Sequence, residues 1–174
     1  FVLVRVEGAG PLVGEPLAGM PAWLERAATF ALRLGRRVVH TVAANWKLVV
    51  QNFQESHHFR LVHPSLEALT PAARSASEDT GGAFLTGTMQ LSPDADTVSL
   101  DGRRDGRPLV CGPGDERTVF DAHVFPGWLI SLQPDYLLSY RVLPRSAAET
   151  DIDAAIYFHG AAFKPSFDPS SVYA

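Results

Sequence analysis

A single cysteine, Cys111, stands in the 174 residues. One thiol excludes an internal disulfide and any metal cluster held by cysteines alone, and it fits a reducing compartment such as the cytoplasm. No apolar run reaches the roughly 20 residues that a membrane-spanning helix needs. Basic residues are few: 15 Lys and Arg stand against 19 Asp and Glu, for a net charge of -4. With a pI near 5.8, the chain has no basic footprint for nucleic acid. No Gly-x-Gly-x-x-Gly or phosphate loop occurs, and no internal repeat or low-complexity stretch is visible. The chain does not open on Met; Phe1-Val2-Leu3-Val4-Arg5-Val6 reads as a strand in progress, so an internal piece of a longer protein is expected. The far end, Ser166 to Ala174, shows no closing element. What remains is ordinary: 46% apolar and 20% charged residues suit one globular domain with a real core.

Turn residues and periodicity divide the chain. Glu7-Gly8-Ala9-Gly10-Pro11 ends the first strand. Apolar residues at helical spacing (Trp23, Leu24, Ala27, Phe30, Leu34) predict a helix over 21–34, with Gly35 as its C-cap. A strand is expected at 37–42. Asn45 is a candidate N-cap for a helix whose apolar face is Trp46, Val49, Val50 and Phe53, with Lys47 and Gln54 outward. Residues 71–82 read as a loop and 84–91 as a strand. The stretch 94–114 reads as an exposed excursion with a short strand around Val98. Strands then follow closely at 117–125, 128–133, 136–143 and 150–159, parted by Pro126-Gly127, Pro134-Asp135 and a loop at 144–148. Such short spacing predicts an antiparallel meander. The fold class expected is α+β: a curved antiparallel sheet around helices, of the helix-grip (START-like) kind.

The densest chemistry lies between Asn45 and Pro64, which holds three of the six histidines. His58 and His63 are five apart, and Glu55 precedes His58 by three. Glu55 and His58 share one face if the helix continues, whereas His63 needs a bend or a second helix; Pro64 ends whatever carries it. Neutral imidazoles are the commonest ligands for a transition metal. Two of them with a carboxylate leave positions open, as an Fe(II) oxygenase site requires. Glu55 and Asn52 could orient a metal-bound imidazole. By spacing alone, a pair of structural histidines explains the pattern equally well.

Asn45-Trp46-Lys47, Gln51-Asn52-Phe53, Glu55-Ser56-His57-His58 and Val62-His63-Pro64 together resemble the catalytic-domain signature of Rieske-type ring-hydroxylating oxygenase α subunits. Val124-Phe125-Pro126, Ser131 to Tyr136 and the stretch from Phe158-His159 to Asp168-Pro169 resemble later blocks of that domain. The resemblance covers nearly the whole chain and makes residues 1–174 a fragment of the mononuclear-iron catalytic domain. It implies His58 and His63 as iron ligands, Glu55 as the acid bridging electron transfer from a neighbouring subunit's cluster, and Asn52 as an amide beside the iron. Gln51 stands where Glu is common, and His57 where an aromatic is common. The third ligand, an Asp, is expected beyond Ala174, and the Rieske domain on the N-terminal side, so the [2Fe-2S] cluster is not within these residues.

The resemblance further implies a mono- or dioxygenase acting on an organic substrate with O2. NAD(P)H electrons would arrive through a reductase or ferredoxin and the [2Fe-2S] cluster at Fe(II). A cytoplasmic homotrimer with no membrane or nucleic-acid partner is implied for the intact protein, with little turnover in the fragment. A non-catalytic helix-grip domain binding a hydrophobic small molecule is the alternative. Phe53, Phe125, Trp128, Tyr136, Tyr140 and Tyr157 are candidate pocket residues, and aromatic faces attract quaternary ammonium groups. Asp135, Asp151, Asp153 and Asp168 could stand in for the missing ligand but read as solvated turn or strand-edge residues. Cys111 reads as a structural thiol. His40, His123 and His159 read as surface or core residues on strands.

Overall fold

Alternation of period two sets the architecture, because successive side chains of a strand point to opposite faces. The computed structural model describes residues 20–79 and 84–173; the strand and turn expected at 1–11 lie outside them. Seven strands form one curved sheet: β1 (Leu32–Val42), β2 (Ser75–Asp79), β3 (Phe84–Gln90), β4 (Thr118–Val124), β5 (Trp128–Leu132), β6 (Tyr136–Ser146) and β7 (Glu149–His159). The order is β1-β7-β6-β5-β4-β3-β2, and every pairing is antiparallel. The helices are short: α1 (Ala22–Arg26), α2 (Trp46–Phe53), α3 (Phe59–Val62), α4 (Pro64–Leu69) and α5 (Ser170–Tyr173). The fold is α+β, with short helices packed against a curved antiparallel sheet. No helix among the described residues is long and apolar enough to cross a membrane.

The sheet buries both faces. On one, Phe120, Ala122, Val124, Ile130, Leu132 and Leu137 pack with Trp23 and Leu24 of α1 and with Val110. On the other, Leu129, Val142 and Tyr140 meet Trp46, Val49, Val50 and Phe53 of α2. The expected apolar face of that helix is therefore the buried one, and Lys47 is exposed. The Asn45 side chain accepts from the Lys47 amide at 3.0 Å, as an N-cap does.

Several expectations are corrected. The helix at 21–34 stops at Arg26, and β1 begins at Leu32. Gly35 is not a C-cap: it lies in β1 at a register shift, where an added Cβ would come 2.7 Å from the Phe158 ring. Pairing with β7 overrides the helical spacing. Residues 75–79, expected in a loop, form β2, an edge strand whose polar sequence carries no apolar alternation. The stretch 94–114 has no strand around Val98 and is not simply an exposed excursion. Ala95, Thr97, Arg107 and Val110 are buried, tied down by Thr97 and Arg107 on Asp135 and by the Val110 amide on the Pro134 carbonyl, 2.7 Å. The loop expected at 144–148 is mostly strand, because β6 runs on to Ser146 and β7 starts at Glu149.

Candidate active site

The helix carrying the signature breaks where its acid falls. α2 ends at Phe53, and the Glu55 carboxylate then accepts from the His57 amide at 2.7 Å and the His58 amide at 3.3 Å. Those amides would otherwise seek carbonyls of a continuing helix, so Glu55 caps the next turn instead. The expected continuous helix through Glu55 and His58 is thus a helix, a turn and a second helix. Pro64 opens α4 rather than only ending α3, since a first helical position needs no N–H. His63 sits at the joint between the two.

This turn brings three of the predicted residues, Glu55, His58 and His63, together. Glu55 Oε1 hydrogen-bonds His58 Nδ1. The His58 and His63 rings lie 5.3 Å apart, centroid to centroid, at 75°. With Nδ1 engaged, His58 has Nε2 free for a metal, the arrangement a ligating histidine with a carboxylate partner normally has. Burial pushes the Glu55 carboxyl up, but the His58 side chain and the two backbone amides outweigh it and hold it below its ordinary value. His58 is half-buried and His63 exposed. Asn52 is exposed on α2. Two neighbouring imidazoles, one of them oriented by a carboxylate, are nitrogen donors of the kind a divalent transition metal takes. Among the described residues no cluster of three or more His, Cys, Asp or Glu is placed to hold a metal.

A cavity of about 260 Å³ lies against the Phe53–Phe59 stretch and the sheet. Phe53, Phe59 and Met89 give it apolar wall, while Gln54, Glu55, His57 and Asp121 give it polar wall. His58 and His63 are not among its lining; the turn they spring from is. Gln54, expected to face outward, lines this cavity, and its Nε2 has no hydrogen-bond partner. Asp121 of β4 was not singled out by sequence. Burial pushes its carboxyl up to about 7, against the pull of the Ser131 side chain.

The other candidates are placed elsewhere. Among the aromatics, Phe53 lines the cavity and meets Tyr140 edge-on at 5.9 Å. Tyr136 is core, donating to the Val98 carbonyl at 2.6 Å. Trp128 and Tyr157 pack on the opposite face of the sheet, and Phe125 is 67% exposed. Two of the four aspartates are not solvated: Asp135 is buried against Arg107 at 2.5 Å, and Asp153 is buried between Arg37 and Arg141. Asp151 binds Arg145 at 2.7 Å, and Asp168 accepts from the Ser170 amide at 2.9 Å. His123 is core, donating from Nε2 to the Pro126 carbonyl at 3.1 Å; His159 accepts from the Ala161 amide; His40 is exposed. Burial, with Glu116 and Asp115 nearby, pushes the Cys111 thiol up to about 11, which suits an inert thiol.

A family model described as ring hydroxylating alpha subunit (catalytic domain) matches residues 29–172. Solved structures share the fold. A quaternary ammonium Rieske monooxygenase in complex with L-carnitine superposes with a TM-score of 0.64 at 16% identity, over 95% of this chain and 39% of that one. Naphthalene 1,2-dioxygenase from Rhodococcus sp. gives 0.58 at 16% identity, over 86% of this chain and 40% of that one. Dicamba monooxygenase gives 0.54 at 16% identity, over 80% and 42%. The chain spans less than half the length of each. No curated protein matches it by sequence.

Proposed function

The chain belongs to the ring-hydroxylating α-subunit family, as catalytic domain, and on that premise we propose that it forms the oxygen-inserting half of an oxygenase acting on a small organic substrate. The observation that carries the reading is the Glu55–His58 hydrogen bond beside His63. His58 and His63 would hold a mononuclear Fe(II), with a third, carboxylate ligand from beyond Ala174. Bound there, the iron supplies the activation of O2 by electrons that no side chain of this chain can perform.

The residues have separable tasks. Glu55 accepts a hydrogen bond from His58 Nδ1–H and so fixes the tautomer and ring orientation that leave Nε2 available. The same carboxylate is ionised and partly exposed; in the assembled protein a partner subunit's histidine would share the Oε2 that already accepts from the His57 and His58 amides, and that sharing would let it bridge an electron donor. Asn52 stands exposed near the end of α2, three residues before Glu55, and would serve as an amide beside the iron. Phe53, Phe59 and Met89 offer apolar wall to the substrate's apolar part in the adjoining cavity. The full assembly would be a cytoplasmic homotrimer receiving NAD(P)H electrons through a reductase or ferredoxin and a [2Fe-2S] cluster.

Glu55→Gln tests the division of labour in the full-length protein with its reductase. The amide keeps one hydrogen bond and loses the charge. Iron content should fall little, while product formed per O2 consumed should fall about 10- to 100-fold. Unchanged product formation would remove Glu55 from this role. Small-molecule binding untouched by chelators, with no iron at all, would favour the non-catalytic binding domain instead.

A further inference from the structure

The cavity beside the signature turn is acidic, and one of its acids is unanswered. Among the described residues no lysine or arginine lines it. Both oxygens of Glu55 are engaged, Oε1 by His58 and Oε2 by the amides of His57 and His58. Asp121 is different. It enters from β4 between Gly87 of β3 and Ser131 of β5, its directly paired neighbours. Gly87 has no side chain to cover it. Ser131 Oγ accepts from Gln133 Nε2 at 2.9 Å, which leaves the serine proton for the aspartate. Asp121 Oδ1 is buried and has no hydrogen-bond partner. A buried carboxyl oxygen without a donor is unfavourable, and a ligand in the cavity that donates to it would relieve that cost, as one that accepts from the likewise unpaired Gln54 Nε2 would there.

We propose that Asp121 determines substrate specificity in this cavity, selecting a molecule with a protonated amine whose N–H donates to Oδ1. The proposal rests on the oxygenase reading and names the class of substrate that site takes. A neutral hydroxyl would answer the hydrogen bond and leave the charge uncompensated. A quaternary ammonium would answer the charge and leave Oδ1 without a donor. A protonated amine answers both, in a charge-assisted bond. Phe53 and Phe59 supply apolar wall for the rest of the molecule. The volume of about 260 Å³ admits roughly nine groups of water size at ~30 Å³ each, so the substrate is small.

Charge linkage gives a second signature. Because burial raises the Asp121 carboxyl to about 7, amine binding should strengthen as pH rises through that value and the carboxylate form fills. The other ionisable groups that line its cavity or couple to it are Glu55 and His57 from the turn and Tyr136 and Tyr140 from β6. Tyr136 is pushed well above its ordinary value, first by burial, and stays neutral. Tyr140 is pushed up to about 12, by burial and then by Asp121, and stays neutral. Glu55 is already ionised over this range. Repeating the pH series in His57→Gln isolates the imidazole.

The experiment is calorimetric titration of the full-length, iron-loaded protein with N,N-dimethylbenzylamine, benzyltrimethylammonium and benzyl alcohol. The amine should bind about tenfold or more tighter than either comparator. Asp121→Asn should erase that preference and flatten the pH dependence. The wild-type comparison of the three ligands stands even if the variant folds poorly. Equal affinity for all three, no measurable amine binding, or a preference that survives in Asp121→Asn overturns the proposal. Iron content of the same samples is read separately: absent iron with an intact amine preference removes the oxygenase reading and leaves the binding site standing.

Discussion

Asp121 holds a carboxyl group between Gly87 and Ser131 under a helical layer, and its folded environment favours the protonated form. Its folded value of about 7 lies above the 3.8 of an ordinary aspartate. The folded state therefore binds this proton more tightly than the unfolded one, and its contribution to stability is lost as pH rises from about 4 through 7. Asp121→Asn should raise the melting temperature at pH 8 and change it least at pH 4, the gain in stability at the upper end being on the order of a few kcal/mol. Thermal melts of parent and variant across that range check it; a difference that does not grow with pH would contradict it. The residue was not legible in sequence. One acid in an alternating strand looks like a solvent-facing position, and nothing local says that α2 and the turn after it cover that face. Gln54 was misjudged for the same reason. Glu55 and His58 were legible because their contact spans three residues and needs no tertiary information.

At the scale of elements, the four strands after residue 117 were legible because Gly, Pro and Asp separate alternating runs, and the α2 cap and apolar face because both are local. β1 was half hidden. Its first residues continue a helical spacing from Trp23, and only pairing with β7 makes them strand. Gly35 marks the conflict, for the Phe158 ring occupies the space its Cβ would need. Gly35→Ala should destabilise the protein by about 1–3 kcal/mol through overpacking, whereas a C-cap role would have made Gly35→Asn mild. Urea melts of both variants decide: Asn should be at least as damaging as Ala. β2 was invisible because Ser75 to Asp79 carries no apolar residue but Ala76, and edge strands need none.

At the scale of the whole molecule, the long stretch between β3 and β4 is fastened to the sheet by backbone and side-chain hydrogen bonds, among them those to one buried acid. Asp135, fully buried at the β5–β6 turn, takes Thr97 and Arg107. Burial pushes its carboxyl up, and the Thr97 and Arg107 hydrogen bonds oppose that. Arg107→Ala leaves the acid without its cation and should cost about 3–5 kcal/mol, seen as a lower urea midpoint. An unchanged midpoint would mean that the stretch is held by other contacts. The sheet so completed supports α2 and the turn after it, and the turn positions Glu55, His58 and His63. The proposed iron site at His58 and His63 is read out by metal analysis of the full-length protein after anaerobic Fe(II) loading, beside His58→Ala and His63→Ala. About one iron per chain beyond any iron–sulfur cluster is expected, lost in both variants while the cluster's absorption persists. The same iron content in parent and both variants would contradict it.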